Sequence, residues 1–309
     1  MDLVKNDETL WVAIAGQHNP RTGAILRGGA LAAVDIKTGN LSRRLRLPID
    51  PTELAVGFGS VWVLGNPMKR RPRGLLRIDP RTGRVIAAVA MPRGWSRIAA
   101  TTDAVWVGGG DITPGRPRRP GVPERTSVRF VYKIDPRRNA IVQRVLLPGG
   151  MTVLDLDAEG TSLWAGGWWG VAELSNAGRV LFHAAYGGAG WSMARTRGVV
   201  WVTLPWTGRP YQRRQDNAHR AQQLLRVSTS SRTSRPKAIE LSHWPGGVEA
   251  AGGTVWLGGG DVLARVDDSV SPPTVVPTGV AVRPTAMEPF AGGVWIAELT
   301  KRRLTKVVC

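Results

Sequence analysis

One short hydrophobic pattern recurs along the whole chain. A tryptophan flanked by aliphatic residues, as in Val61-Trp62-Val63, occurs seven times. Successive copies are separated by 37 to 58 residues, a spacing typical of β-propeller blades. The pattern therefore predicts a repeat protein built from groups of short strands. The repeat tryptophans are Trp11, Trp62, Trp106, Trp164, Trp201, Trp256 and Trp295.

Each copy lies within a unit that carries four strand signals. An apolar stretch and a tight turn precede the Trp strand, and a strand ending in an acidic turn follows it, as in residues 77–83 (RIDPRTG). In such a turn the aspartate caps backbone N–H groups and the glycine adopts positive φ. A fourth strand then ends at a proline, which blocks further pairing. Because helical periodicity is absent, we predict an all-β, seven-bladed β-propeller of four-stranded antiparallel blades.

The two ends of the chain leave this arrangement one strand short. Residues 2–6 predict the first strand of the first blade, and residues 304–308 predict the third strand of the last blade. Either the last blade is three-stranded or a terminal piece is absent, in which case the chain is an ectodomain cut from a larger receptor. Residues 1–309 are otherwise expected to form a single propeller domain, with the repeat Trp rings buried between blades.

The unit at residues 61–92, in which VWV is followed by GLLRIDPRTGRV and a closing proline, resembles the repeat of virginiamycin B lyase-like and YVTN-type bacterial seven-bladed propellers. The resemblance spans the chain at the level of the repeat and implies the same fold. For the lyases of that group it implies a metal held by paired His and Glu residues late in the chain.

Here the last two blades offer His243 and Glu249 without a His-x-His or Glu-x-His pair. A lyase- or cyclase-type enzyme with these two residues as acid and base is therefore the alternative function. A divalent cation is expected only under that alternative.

Propeller ligands usually bind at the mouth of the central channel, where loops from all the blades meet. Several tryptophans outside the repeat position fall in these loops and predict an aromatic-walled pocket, although they could equally wall the channel. Two aspartates there follow Gly-Gly-Gly runs, for which a bulged turn is the simpler interpretation. The expected ligand-binding residues are Trp95, Arg97, Trp168, Trp191, Trp206, Trp244, Asp111 and Asp261.

The charge of the chain favours an anionic partner. Lys and Arg number 42 against 23 Asp and Glu, which gives a net charge of +19. Such a field attracts polyanions, unless the arginines are simply solvated on strand and loop faces. We expect binding of an anionic small molecule or an acidic macromolecule, in preference to nucleic acid, and place binding ahead of catalysis. The expected anion-binding residues, on three long loops, are Arg70, Arg71, Arg118, Arg119, Arg213 and Arg214.

Other classes of site receive no support from the sequence. Cys309 is the single cysteine, so no disulfide can form within the chain. No zinc spacing, phosphate loop or dinucleotide fingerprint occurs, and neither a metal site nor a cofactor is predicted. No apolar run reaches the length of a membrane span, and residues 1–20 lack the pattern of a signal peptide. We expect a cytoplasmic monomer, or an extracytoplasmic one if a targeting segment or anchor is missing from this chain.

Overall fold

The fold is seen in a computed structural model of the chain. The structure describes residues 2–19, 25–67, 74–92, 97–108, 129–204, 222–230, 235–242, 246–282, 284–290, 292–298 and 303–308. These ranges contain 28 β-strands, numbered here in chain order, and a short 3-10 helix at Pro148–Gly150. Within the same ranges, no helix has the length and apolar character needed to cross a membrane.

Seven antiparallel sheets follow one another along the chain and form the blades, each with its strands in sequential order. Blade 1 consists of β1 (Leu3–Asn6), β2 (Thr9–Ile14), β5 (Ala30–Asp35) and β6 (Leu41–Arg46), with a hairpin of β3 (Gln17–His18) and β4 (Ile25–Arg27) between β2 and β5. Blade 2 consists of β7 (Ile49–Gly57), β8 (Ser60–Pro67), β9 (Gly74–Ile78) and β10 (Val85–Ala90). Blade 3 consists of β11 (Arg97–Ala100), β12 (Val105–Gly108), β13 (Phe130–Asp135) and β14 (Ala140–Leu146).

The second half of the ring continues in the same way. Blade 4 consists of β15 (Thr152–Glu159), β16 (Ser162–Leu174) and β17 (Val180–Ala189). Blade 5 consists of β18 (Ser192–Thr196), β19 (Val199–Leu204), β20 (Gln222–Ser228) and β21 (Lys237–Leu241). Blade 6 consists of β22 (Gly247–Ala251), β23 (Thr254–Gly259), β24 (Val262–Asp267) and β25 (Thr274–Ala281). Blade 7 consists of β26 (Ala286–Phe290), β27 (Gly293–Glu298) and β28 (Arg303–Val308).

Two blades depart from the four-stranded plan. The last blade has three strands, and the end strands β1 and β28 occupy the predicted places in the first and last blades. In blade 4 the long strand β16 pairs with β15 through its first half and with β17 through its second half. Trp169 has a φ of 74° at the changeover, which marks a bend between the two halves.

The seven repeat tryptophans are buried between blades, as predicted. Each lies on the second strand of its blade, and none is more than 7 % exposed. Trp11 of blade 1, for example, belongs to a core cluster that includes Leu54 and Val61 of blade 2. A cation from the third strand often covers the ring, as Arg77 does at 5.2 Å from the Trp62 centroid. The repeated tryptophan thus fills the gap that the twist of adjacent sheets leaves open.

The acidic turns also form as predicted. At Asp79 the carboxylate accepts hydrogen bonds from the Arg81 N–H and the Thr82 hydroxyl, both at 2.8 Å, and Gly83 closes the turn with a φ of 74°. These bonds favour the charged form and hold the pKa of Asp79 below its ordinary value. The turn therefore depends on an ionised aspartate.

Candidate functional site at the mouth of the central channel

The first strands of the seven blades contact one another in a closed cycle. Its order is β1, β7, β11, β15, β18, β22, β26 and back to β1. In each blade one residue lies opposite the position two residues after the repeat tryptophan. It belongs to the first strand of its blade, except in blade 1, where Asp2 directly precedes β1. We call this set the upper ring. Its members are Asp2, Glu53, Arg97, Asp155, Ser192, Gly247 and Ala286.

Four upper-ring side chains link neighbouring blades. Each accepts a hydrogen bond from the backbone N–H that follows the upper-ring residue of the next blade. The donor–acceptor pairs are Leu54–Asp2 at 2.7 Å, Ile98–Glu53 at 3.0 Å, Met193–Asp155 at 2.7 Å and Val248–Ser192 at 3.2 Å. Gly247 and Ala286 have no side-chain acceptor, so the junctions between blades 6 and 7 and between blades 7 and 1 lack this bond.

Arg97 is the cation of the upper ring, and its guanidinium forms hydrogen bonds and ion pairs with other protein groups. Nη1 donates to Glu53 Oε1 at 2.6 Å, and Nε lies 4.0 Å from Asp155 Oδ1. Nε also donates to the backbone oxygen of Leu154. Since Asp2 contributes a third carboxyl group, the acidic side chains of the upper ring outnumber its one cation.

Burial raises the pKa of the carboxyl groups in the channel. The pKa of Glu53 rises to about 8 although Arg97 opposes the increase, and the pKa values of Asp2 and Asp155 rise to about 6. Glu288, in the first strand of blade 7, has a pKa of about 7 for the same reason. Desolvation penalises the charged form of a carboxyl group. The channel therefore retains protons at pH values where exposed carboxyl groups have lost theirs.

A cavity of about 370 Å³ lies at the mouth of the channel, lined by the whole upper ring together with Trp191 and Glu249. The ring is asymmetric, because charged side chains occupy it in blades 1 to 4 and small residues occupy it in blades 5 to 7. The small residues Ser192, Gly247 and Ala286 leave the space that larger side chains would fill. A cavity of this size is in the range of sites for small organic molecules.

Among the residues that the structure describes, Glu249 is the carboxyl group of the cavity lining that has no protein partner. Its side chain neither accepts a hydrogen bond nor forms an ion pair with any residue in the described ranges. Burial raises its pKa well above the ordinary value, and the charges of Asp155 and Glu288 raise it further. Across the part of the chain that the structure describes, no group of three or more His, Cys, Asp or Glu side chains is arranged to hold a metal ion.

Three of the residues expected from the sequence, Arg97, Trp191 and Glu249, come together at the cavity. Arg97 bonds to Glu53 and lies near Asp155, and its expected contact with a ligand stays a prediction. Eleven other predicted residues lie outside the described residues: His243, Trp95, Trp206, Trp244, Asp111, Arg70, Arg71, Arg118, Arg119, Arg213 and Arg214.

Two other expected residues lie away from the cavity lining. Trp168 is half-buried, and its ring centroid lies 6.1 Å from that of Trp169 in a tilted arrangement. Asp261 is exposed in the hairpin between β23 and β24, directly after Gly260 with its φ of 58°. This geometry agrees with the simpler interpretation of the Gly-rich run as a turn.

The sequence reasoning missed Asp2 and Asp155, which complete the acidic side of the cavity. A signal for them exists, because every upper-ring residue stands nine positions before its repeat tryptophan. Reading that position across the seven copies gives the composition of the ring.

Comparison with known proteins supports the fold alone. No protein-family profile matches the chain, and no curated protein does. The chain is similar to a solved structure of Kuenenia stuttgartiensis hydrazine synthase, with a TM-score of 0.70 and 13% identity over 100% of this chain and 95% of the other. It is also similar to BamB from Moraxella catarrhalis, with a TM-score of 0.62 and 12% identity over 98% and 92% of the two chains.

A third similar structure is the Neurospora crassa Pan2 WD40 domain, with a TM-score of 0.65 and 12% identity over 97% of this chain and 84% of the other. These likenesses, at such low identity, establish a β-propeller fold, and a fold by itself does not determine function. The relation to virginiamycin B lyase-like and YVTN-type propellers stays a prediction.

Proposed function

We propose that this chain is a ligand-binding β-propeller whose cavity at the channel mouth takes a small organic molecule. The observation that supports this most is the asymmetry of the upper ring. Seven structurally equivalent positions carry four charged side chains in blades 1 to 4 but Ser192, Gly247 and Ala286 in blades 5 to 7. If the ring served only to close the propeller, we would expect similar side chains at all seven positions. The small residues instead leave an open space beside the Glu249 carboxyl group.

Binding fits the described residues better than catalysis does. Most polar side chains of the upper ring form hydrogen bonds between blades, and within the described ranges Glu249 is the carboxyl group of the cavity lining without such a bond. A lyase reaction that uses separate acid and base groups needs a second group within reach of the same substrate. Under the lyase alternative that group is His243, which lies outside the described residues.

Filling the cavity tests the proposal. A Cβ at Gly247 would lie 3.6 Å from Met287 Cε and 3.9 Å from Ser192 Oγ, which are ordinary contacts. Gly247→Leu therefore adds a side chain within the cavity lining without backbone strain, and Gly247→Ala is the matched control. In a thermal-shift screen of small organic molecules, compounds that stabilise the wild type should stabilise Gly247→Ala and should lose their effect on Gly247→Leu. Equal stabilisation of Gly247→Leu would refute binding in this cavity.

A second proposal concerns an anionic partner bound by the three long basic loops, and the distribution of charge along the chain favours it. Most of the excess positive charge lies in segments outside the described residues, which include the six arginines predicted to bind anions. We expect heparin to bind with an affinity that falls steeply with salt, because bound phosphate or sulfate groups release counterions.

Neutralising Arg70, Arg71, Arg118, Arg119, Arg213 and Arg214 to glutamine should reduce both the affinity for heparin and its salt dependence. The matched control is glutamine at Arg81, Arg137 and Arg138, which stand in acidic turns. Because the control removes three charges and the test set removes six, an equal loss per substituted arginine would show that the charge acts only as a sum over the whole surface.

A further inference from the structure

We infer that the cavity at the channel mouth is a site for an organic cation, whose ammonium group is met by Glu249 and whose apolar part packs against Trp191. The inference rests on the proposed ligand-binding function and adds the chemical class of the ligand.

The charge of the cavity lining selects for a cation. Asp2, Glu53, Asp155 and Glu249 face one guanidinium, that of Arg97, which is already bonded to Glu53 and to a backbone oxygen. An anion here would meet carboxyl groups without a free cation among the lining residues, and it would be repelled wherever the pH is high enough to ionise those groups. A bound ammonium group supplies the positive charge that these carboxyl groups lack.

The Trp191 side chain further restricts the chemical class of the expected ligand. Trp191 lines the cavity and is 37 % exposed, whereas tryptophan side chains are on average largely buried. The face of an indole ring attracts cations, and this attraction is strongest for groups that shed water easily, such as alkylated ammonium ions. The cavity is also far larger than a bare metal ion requires, so an organic cation suits it.

The junction between blades 6 and 7 lacks the side-chain hydrogen bond described above, and this leaves a backbone donor for a ligand. The Met287 N–H stands at the position where Leu54, Ile98, Met193 and Val248 donate to an upper-ring side chain of the preceding blade. For Met287 that side chain is absent, because the preceding residue of the ring is Gly247. A hydroxyl or carbonyl oxygen of the ligand can accept this bond. The expected ligand therefore joins an ammonium group to a nearby oxygen acceptor.

Choline is a suitable probe, because it carries a quaternary ammonium group and a hydroxyl. Its uncharged carbon isostere and the anion tert-butylacetate have nearly the same shape and provide matched ligands. Isothermal titration calorimetry of the full chain should show choline binding and at least about tenfold weaker binding of the other two, since a tenfold ratio corresponds to only one modest charge contact. Equal affinity for choline and its uncharged isostere would overturn the inference.

Matched variants identify the carboxyl group responsible. Glu249→Gln should weaken choline binding about tenfold or more, whereas Glu288→Gln should change it much less, since Glu288 is outside the cavity lining and accepts a hydrogen bond from the Lys5 N–H. Trp191→Leu should also weaken binding, and Trp191→Phe should retain most of it. Should Glu249→Gln fail to fold, the pair of Trp191 variants carries the test alone. Unchanged affinity in Glu249→Gln, or in Trp191→Leu, would overturn the inference.

The pH dependence gives a readout that misfolding cannot imitate. Glu249 is faced by the carboxyl groups of Asp2, Asp155, Asp157 and Glu288, which raise its pKa together with burial. Raising the pH ionises Glu249, so choline should bind more tightly to the wild type as the pH increases. Glu249→Gln should lose most of this dependence, and an identical dependence in the variant would assign it to the other carboxyl groups and contradict the role of Glu249.

The two proposals fail in different ways. If uncharged or anionic molecules stabilise the wild type but not Gly247→Leu, the cavity binds ligands and the inference about a cation is wrong. If no molecule distinguishes the wild type from Gly247→Leu, the binding function itself is wrong.

Discussion

Glu288→Gln should make the protein more stable than the wild type at alkaline pH. Glu288 is partly buried in β26, and burial raises its pKa from 4.5 to about 7. A carboxyl group whose pKa is raised in the folded state favours folding below pH 4.5, and that contribution is lost as the pH rises through about 7. Glutamine keeps an oxygen that accepts from the Lys5 N–H and never acquires the buried charge.

The magnitude follows from the increase in pKa. At about 1.4 kcal/mol per pKa unit, the change amounts to an upper limit of about 3 kcal/mol. An entropy of unfolding of about 2.1 cal/mol/K per residue converts this, for a chain of 309 residues, to a difference in Tm of up to about 5 °C.

Thermal unfolding followed by circular dichroism at several pH values between 4 and 9 measures the effect. The wild type and Glu288→Gln should unfold at similar temperatures at acidic pH, and the variant should unfold at the higher temperature at alkaline pH. The prediction is wrong if the difference in unfolding temperature between the two proteins is the same at every pH, or if the variant is less stable at alkaline pH. Either result would show that the buried charge of Glu288 does not destabilise the folded protein.

Two further predictions concern the repeat. In urea unfolding, Trp62→Phe should destabilise the protein by about 1 kcal/mol more than Trp106→Phe does. The reason is that Trp62 Nε1 donates to the Gly57 oxygen at 3.2 Å, whereas Trp106 Nε1 has no partner in the described residues. Equal losses of stability in the two variants would contradict this prediction. Asp79→Ala should lower the unfolding temperature at neutral pH, because the turn needs a charged carboxylate with a lowered pKa, and its difference from the wild type should shrink below pH 3.8. A difference that persists in acid would assign the effect to packing.

The repeat could be predicted from the sequence because its determinants are local. Trp62 lies between valines on one strand, and the turn at Asp79 is closed by residues within four positions of it. Such contacts leave a pattern that recurs in every copy. The strand missing from the last blade also followed from counting strands within this pattern.

The site could not be predicted in the same way, because its determinants are long-range. Asp2 bonds to Leu54, and Asp155 bonds to Met193, across blade boundaries that only the closed ring brings together. The net charge of +19 also pointed towards an anion, whereas the cavity lining is acidic. The net charge of a whole chain does not predict the charge of a cavity that a few residues line. The residue nine positions before each repeat tryptophan is the better predictor of that lining.

The most direct measurement is a crystal structure of the full chain soaked with choline. We predict density for the trimethylammonium group in the cavity at the channel mouth, beside the Glu249 carboxylate and within about 6 Å of the Trp191 ring centroid. We also predict that the choline hydroxyl accepts a hydrogen bond from the Met287 N–H. A cavity that stays free of choline at concentrations that saturate binding in solution, or choline bound only outside this cavity, would contradict a ligand site in the asymmetric upper ring.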